Sequence, residues 1–516
     1  MLYPIGIQSF ENVRRGGFAY VDKTRRVYEM AKTGKYFFLS RPRRFGKSLF
    51  VSTLEAYFSG RKELFDGLEI AGLEKDWTEF PVLHLDFTGG SYGDSGALEQ
   101  SLDAFLSRYE TMFGVNASAG SMFGIRFGNL LEKVFEKTGK QAVVLIDEYD
   151  KPILDNFGNA ELRERNRNVL QGFYSVLKGK DAYIRFGFLT GVSKFGKISV
   201  FSGLNNVKDI SLIPEYADVC GITEAELKAC FDGSVGEMAE ANGMTKEECY
   251  RKLKAMYDGY HFGYGTPGLY NPFSLLNALQ DRCFNAYWFE TGTPTMLADV
   301  AKRTEFDITT LSDNVIATAS ALGGMQDIVN NPVPLFFQTG YLTIKDYDKE
   351  YREYRLGFPN EEVKDGFLNF IYSYYVPVNP GASADTRISA LSRALKTGRP
   401  EDFMKTLSAL FANATYQIQG NAEKDFQYAM YIILELLGEH VDAEKCTSDG
   451  RIDLLVKTRN FIYVMELKVD KTPDEALAQI EEKGYARPFA DDRRTLYKIG
   501  VNFSTAKRCI DSWKIV

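Results

Sequence analysis

The sequence predicts an α/β protein with an N-terminal parallel sheet and helical lid, a mixed or helical middle region, and a second, smaller α/β unit at the C-terminus. Three observations carry this expectation. First, short apolar runs, YFFLS (36–40), PVLHLDF (81–87), AVVLIDE (142–148) and YIRFGFLTG (183–191), alternate with long amphipathic stretches. Strands buried on both faces between helices read this way. Second, from Thr223 the pattern turns helical and charged, in TEAELKACF and TKEECYRKLKAMY, then breaks into DGYHFGYGTPGLYNPFS (258–274). That change marks a small helical lid and a boundary loop. Third, α/β alternation returns late in the chain, with DFQYAMYIILELL, RIDLLVKT, NFIYVMELKV and PDEALAQIEEKGYA. The expected units are 1–275, a mixed region 276–395, described as winged-helix-like, and 396–516.

The composition supports a soluble globular chain. Of 516 residues, 45% are hydrophobic and 25% charged, which excludes disordered, collagen-like and membrane classes. The length allows about three domains at ~150 residues each. With 62 Lys+Arg against 69 Asp+Glu and a net charge of −7, a general coat of positive charge for nucleic acid is excluded, and a local basic groove stays open. The six cysteines lie far apart without a CxxC pair and read as free thiols in a reducing compartment. The N-terminal MLYPIGIQSF lacks the basic head and cleavage site of a secretory signal. The richest apolar window, Ala429 to Leu437, is short and contains Glu435, so no membrane span is expected, and the expected location is the cytoplasm. Only His84, His261 and His440 are present. A centre built on several imidazoles is therefore excluded, which leaves carboxylates, lysines and a metal ion for any hydrolytic chemistry.

The first candidate site follows YFFLS directly, in Arg41-Pro42-Arg43-Arg44-Phe45-Gly46-Lys47-Ser48, and opens a helical stretch, LFVSTLEAYF. This is the second half of the phosphate-loop pattern GxxxxGK[ST]. Gly46 permits close backbone approach to phosphate, Lys47 supplies a point charge for the β/γ-phosphates, and Ser48 offers a hydroxyl to Mg²⁺. The helix start adds free N–H groups aimed at the anion. Arg41 stands where the pattern has its first glycine, and Arg43 and Arg44 are candidates for compensating charge. About 100 residues on, AVVLIDE ends in Asp147 and Glu148, the acidic strand end that supplies a carboxylate for Mg²⁺ and a base to polarise water. Thr190 or Ser193, after the next apolar run, can sense a terminal phosphate; a plain Thr-Gly turn is the alternative.

The second candidate site lies between 449 and 485. Asp453 opens one strand in GRID, and Glu466 and Lys468 close the next in IYVMELK. A period of two puts Glu466 and Lys468 on one face. If the strands pair as a hairpin, Asp453 approaches Glu466. Two carboxylates ~4 Å apart repel by ~4 kcal/mol at an effective dielectric of 20, which calls for a divalent cation or a retained proton. With Mg²⁺ on Asp453 and Glu466, a bound water becomes a nucleophile that Lys468 can orient. Thr472-Pro473-Asp474-Glu475 signposts the next helix, and Gln479, one turn past Glu475, can face the site. Glu423, before the apolar helix, is a candidate third acid.

Taken together, YVDKT (20–24), SRPRRFGKSL (40–49), LIDEYDKP (145–152), FLTGVSKF (188–195), YDGYHF (257–262) and YNPFS (270–274) resemble the AAA-ATPase-like family of bacterial and archaeal proteins. The resemblance spans nearly the whole chain and includes the missing first glycine. It implies a P-loop NTPase-type parallel sheet that binds ATP, with Lys47, Ser48, Asp147 and Glu148 in the motif positions. It also implies a C-terminal restriction-endonuclease-like domain of the PD-(D/E)XK superfamily, with Glu423, Asp453, Glu466, Lys468 and Gln479 at matching positions. Ile452 replaces the proline of the superfamily's name. Tyr485 falls where that family has tyrosine, and helix packing is the simpler account of it.

Other features have plainer readings. His261 belongs to an aromatic boundary loop, without the nucleophile motif that triad chemistry would need. The 30 Tyr and 38 Phe are dispersed and suggest core packing before base stacking. Asp22 and Lys23 either approach the nucleotide or cap a helix. The leading expectation is an ATP-binding domain with ATPase activity, coupled to a Mg²⁺-dependent nuclease domain acting on DNA or RNA. The alternative is a nucleotide-dependent switch whose C-terminal fold binds nucleic acid or protein without cutting. A small-molecule phosphotransferase lacks a visible acceptor pocket. Oligomeric state leaves no mark in the sequence.

Overall fold

The computed structural model describes residues 1–115, 122–194, 207–291, 315–324, 331–375, 384–414, 430, 433, 435–437, 442–448, 451–507 and 509–516. It divides into two compact units, Met1–Val363 and Lys364–Val516. The stretch 276–395 is shared between them.

In the first unit the apolar runs become the parallel strands β1 (Tyr36–Ser40), β2 (Val82–Asp86), β3 (Ala142–Asp147) and β4 (Ile184–Gly191), joined at one edge by the short β5 (Lys208–Asp209). Their order is β2-β3-β4-β1-β5. Strand β4 thus separates the strand that leads into the phosphate loop from the strand that ends in the acidic pair. Every residue of β1 and β3 is buried, as strands covered by helices on both faces must be. Register sets Ser40 beside Gly191, Leu39 beside Thr190 and Asp86 beside Asp147. All these strands therefore finish at one rim, where open parallel sheets hold their ligands. Below the rim the helices Ala97–Phe113, Phe123–Thr138 and Ala160–Tyr174 enclose an aromatic core in which Phe127 and Phe173 stack at 4.7 Å.

The lid consists of the helices Glu224–Ala241 and Lys246–Tyr257, each opened by a capping box, Thr223 with Glu226 and Thr245 with Glu248. Strands β6 (Ile222–Thr223) and β7 (Leu269–Tyr270) pair at its base and lead into the helix Pro272–Asp281, capped by Asn271. Lys23 Nζ meets Glu226 at 2.6 Å, and Asp22 accepts from Thr24 N at 2.8 Å and Glu69 N at 2.7 Å. The YVDKT segment thus caps one helix and ties it to the lid.

Further along the first unit, β8 (Val315–Thr318), β9 (Thr343–Asp348) and β10 (Glu353–Gly357) form an antiparallel sheet in the order β8-β10-β9. Between β8 and β9 the helix Val333–Thr339 is buried at every residue. It is therefore a packing element.

One buried acid ties the first unit's outer helices together. Glu74 accepts from Tyr57 Oη at 2.5 Å, Lys32 Nζ at 2.9 Å, and the backbone N–H groups of Lys75 at 2.9 Å and Asp76 at 3.0 Å. Burial opposes its charge, but these donors prevail and hold its pKa down, to about 2. A carboxyl lowered on folding contributes stability that is complete above its unfolded pKa and is lost as pH falls through the folded value. Wild type should therefore lose urea resistance between about pH 4.5 and 2, over and above any loss in Glu74→Gln, which should already be weaker at pH 7. Parallel stability–pH curves for the two proteins across that window would contradict this.

The second unit carries the sheet β11 (Asp442–Ser448), β12 (Arg451–Lys457), β13 (Phe461–Val469), β14 (Thr495–Ser504) and β15 (Cys509–Ile515), paired in that order. Only β13 and β14 run parallel, and the helix Pro473–Lys483 makes the crossover between them. That helix start sits so close to the sheet that a Cβ on Gly500 would lie 2.2 Å from Pro473 O and 3.0 Å from Leu477 Cγ. Backbone on both sides cannot yield cheaply. Gly500→Ala should therefore destabilise the full-length protein by ~1–3 kcal/mol, read as a lower thermal or urea midpoint.

Candidate functional site

The phosphate loop turns on two left-handed residues, Arg44 at φ 66° and Gly46 at φ 95°, after which the helix Lys47–Phe58 begins. Such φ values suit glycine and are uncommon for a side chain as large as arginine. Lys47 is buried, with Nζ 3.1 Å from Arg41 O, 3.1 Å from Pro42 O and 3.2 Å from Glu148 Oε1. Ser48 bonds the Asp147 carboxylate. Burial, reinforced by the charge of Glu148, pushes the Asp147 pKa up to about 6 in spite of Ser48 and Lys47. Glu148 itself sits at φ 52°.

Arg41 faces away from the phosphate position. Its guanidinium, 1% exposed, donates to Ser40 O at 2.9 Å, Ser211 O at 2.8 Å, Tyr216 O at 3.1 Å and Ala217 O at 3.3 Å. It also lies 4.0 Å from the centroid of Phe262. Burial pulls its pKa down to about 10, so it stays charged at neutral pH. The left-handed positions fall at Arg44 and Gly46, so the place of the missing glycine makes no such demand on Arg41. Arg43 and Arg44 both line the cavity described next.

The loop opens on a cavity of about 870 Å³. One wall is apolar, formed by Ile5, Ile7, Leu49, Phe273 and Leu276, with the Arg44 guanidinium 4.8 Å over the Phe273 ring. The rest of the lining includes Thr88, Ser91, Glu148, Lys151 and Asp155, with Leu154, Phe157 and Val192 among them. Trp288, Thr339 and Tyr341 also border it, and Trp288 Nε1 donates to Arg43 O at 3.1 Å. The sequence reading missed the apolar wall. Asn271 and Pro272 carry a visible helix-start signal, whereas nothing local marks Ile5 and Ile7.

A second omission is Asp150. Fully buried, it accepts from Val192 N at 3.2 Å, Ser193 N at 2.6 Å and Ser193 Oγ at 2.7 Å, while Tyr149 Oη donates to Ser193 O at 2.9 Å. Burial first, then Glu148, raises the Asp150 pKa. The acidic strand end thereby clamps the loop that follows β4. Thr190 is buried, its hydroxyl without a hydrogen-bond partner among the described residues, and it is absent from the cavity lining. His84 pairs with Glu55 at 2.9 Å, His261 Nδ1 contacts Thr266 O at 2.9 Å inside its loop, and His440 lies outside the described residues.

In the second unit β12 and β13 form a hairpin that sets Asp453 opposite Glu466. Glu466 is 0% exposed and Lys468 5%. Lys468 Nζ lies 2.7 Å from Glu466 Oε1 and also donates to Gln479 Oε1 on the crossover helix. Thr472 caps that helix, accepting from Glu475 N at 3.3 Å, which fixes where Gln479 falls. Tyr485 packs on the cluster of Ile462, Val464 and Ile480. Glu423 lies outside the described residues. Among those described, no cluster of three His, Cys, Asp or Glu side chains forms a ready metal cage, and no helix is long and apolar enough to cross a membrane.

A phosphate loop at the end of β1, with an acidic strand end one strand beyond its neighbour, defines the first unit as a P-loop domain; the acid-lysine hairpin marks the second as nuclease-like. Comparison with known proteins agrees. A family model described as predicted AAA-ATPase matches residues 4–201, and one for the PD-(D/E)XK nuclease superfamily matches residues 421–513. The "Uncharacterized protein in vnfD 5'region" of Azotobacter chroococcum mcd 1 is 38% identical over 519 residues, covering 98% of this chain and 97% of that protein. The chain belongs to the AAA-ATPase-like family and carries a PD-(D/E)XK nuclease superfamily domain at its C-terminus.

The Arg41 contacts lead to an expectation opposite to motif repair. Arg41→Gly restores the general phosphate-loop pattern but strips the partners from buried carbonyls, and hydrogen bonds to a charged group contribute ~1.5–3 kcal/mol each. Its thermal midpoint should fall well below wild type, with no gain in nucleotide affinity. A stable variant with tighter binding would show that the arginine only fills space.

Proposed function

We propose that the first unit binds ATP as its magnesium complex and hydrolyses it, and that the second cuts nucleic-acid phosphodiesters with a divalent metal ion. The observation that carries this most is the convergence of Lys47, Ser48, Asp147 and Glu148 beside one cavity at the sheet rim. The residues present fit magnesium. The Ser48 hydroxyl and Asp147 carboxylate are hard oxygen donors, and the raised Asp147 pKa marks a buried carboxylate short of positive charge. When bound, the ion neutralises charge on the β/γ-phosphate oxygens. Lys47 exchanges its carbonyl and Glu148 contacts for phosphate oxygens. That exchange frees Glu148 to orient a water and take its proton. The apolar wall of Ile5, Ile7 and Phe273 suits the flat face of a base.

In the second unit Asp453 and Glu466 offer oxygen donors from adjacent strands, which fits a divalent cation, with Glu423 as a candidate third acid. When bound, the ion makes water a usable nucleophile at neutral pH. Lys468, held by Glu466 and Gln479, is placed to steady that water or the charge that builds on the phosphate. A non-cutting, nucleotide-dependent switch is the second reading. The Lys47–Glu148 ion pair favours it, because it occupies the proposed base until a ligand arrives.

The test uses full-length protein with Mg²⁺, labelled ATP and a panel of single- and double-stranded DNA and RNA. Lys47→Ala should lose ATP affinity by about tenfold or more. Glu148→Gln should still bind, with turnover slowed ~10²–10⁴-fold. Asp453→Ala and Lys468→Ala should abolish cleavage. ATP binding without cleavage of any nucleic acid selects the switch, and absence of both activities overturns both readings.

A further inference from the structure

We propose that Lys151 is the cation that engages the terminal phosphate of the bound nucleotide, and that it does so by exchanging the carboxylate of Asp155 for phosphate. The proposal rests on the ATP-binding reading of this cavity and adds to it the group that distinguishes a triphosphate from a diphosphate.

Arg43, Arg44, Lys47 and Lys151 are the cationic side chains among the described residues that line the cavity. Lys47 is committed to the loop carbonyls and Glu148. Arg44 lies over Phe273 on the apolar wall, the side suited to a base, and Arg43 belongs to the same loop. Lys151 alone among the four comes from outside the phosphate loop. Its backbone N–H donates to Glu148 O at 3.0 Å, so it follows the proposed base by one tight turn, and it lines the cavity together with Thr88, Ser91 and Glu148. With a base against Phe273 and Lys47 on the β/γ-phosphates, the terminal phosphate lies at the far end of the nucleotide from the apolar wall, on the side of these groups.

The present partner of Lys151 is weak. Nζ sits 2.5 Å from Asp155 Oδ2, four residues on, and the two side chains are about a quarter exposed, at 25% and 24%. Partly exposed pairs of this spacing contribute little. A terminal phosphate carries more charge and several acceptor oxygens, and binds ammonium through stronger charge-assisted bonds. The exchange is therefore downhill, and Asp155, which also lines the cavity, holds the lysine until then. The backbone beneath is fixed. Asn156 Nδ2 donates to Tyr92 O at 2.7 Å and Pro152 O at 2.9 Å, and Asn166 Nδ2 donates to Pro152 O at 2.9 Å. Only the lysine side chain has to move, over the Tyr92 ring 5.7 Å away.

The experiment is equilibrium titration of full-length wild type, Lys151→Met, Lys151→Arg and Asp155→Asn with Mg²⁺ plus ADP or a non-hydrolysable ATP analogue, after a melting check of each variant. Wild type should prefer the triphosphate. Lys151→Met should weaken triphosphate binding about tenfold and leave ADP affinity within about twofold. Lys151→Arg should keep the preference, and Asp155→Asn, lacking the competing carboxylate, should keep or increase it. If Lys151→Met binds both nucleotides as wild type does, or loses both equally, the assignment is overturned while ATP binding stands. If wild type binds neither nucleotide, the parent reading falls and takes this one with it.

Discussion

The phosphate loop of this protein depends on a buried arginine. A charged guanidinium removed from water must be met by hydrogen bonds at almost every N–H, or its desolvation dominates. Arg41 meets that demand with carbonyls from its own strand end and from the 211–217 segment, and covers one face with Phe262. Those carbonyls in turn would each lose a donor without it. The loop that should cradle phosphate is thus held from behind by the chain that leads into the lid and by the aromatic loop that leaves it. In the general pattern a glycine allows the loop its shape; here an arginine imposes it, and the left-handed turn is moved onward to Arg44 and Gly46.

The same logic of satisfying buried polar groups wires the acidic strand end to its surroundings. Asp150 and Tyr149 grip the backbone of residues 192 and 193. The next residue, Lys194, donates its N–H at 2.6 Å to Gln338, whose Nε2 donates at 2.6 Å to Leu322 O. A Cβ on Gly191 would meet Asp150 Oδ1 at 2.3 Å, so the grip leaves no room for a side chain. Asp150, two residues after Glu148, is thereby linked through residues 192–194 to the buried helix Val333–Thr339, which also borders the cavity through Thr339. Sub-ångström shifts propagate through such contacts because a packed core does not deform freely.

What could be read from the sequence follows from how local each signal is. The strands β1 and β3, the Gly46-Lys47-Ser48 turn and the Asp147-Glu148 strand end were legible because a few adjacent residues define them. Gln479 was legible for a similar reason: Thr472 and Pro473 fix the helix start, and helical spacing does the rest. The work of Arg41 was not legible, since its acceptors lie about 170 residues further on. Nor was the apolar wall, which gathers Ile5, Leu49 and Phe273 from three separate segments. Asp150 carried no local signal, because only the neighbouring strand reveals what it accepts from. The sheets of β8–β10 and of β14 with β15 escaped notice because their charged, irregular edges carry no clean alternation, and pairing alone defines them.

The two candidate sites share an electrostatic design although they lie on unrelated folds. In each, a lysine almost closed off from solvent points its ammonium at a carboxylate from a neighbouring position, Lys47 at Glu148 and Lys468 at Glu466. An isolated buried ammonium would shed its proton or destabilise the fold. An internal counter-charge meets the ammonium and fixes its position. If phosphate is the substrate, as proposed, it competes for the lysine at each site and leaves the displaced carboxylate's lone pairs open to water or a metal ion. A divalent cation there would offset the carboxylate charge that the lysine no longer faces. Lysine, carboxylate and cation would then be coupled, because the loss of one leaves a charge uncompensated in a low-dielectric site.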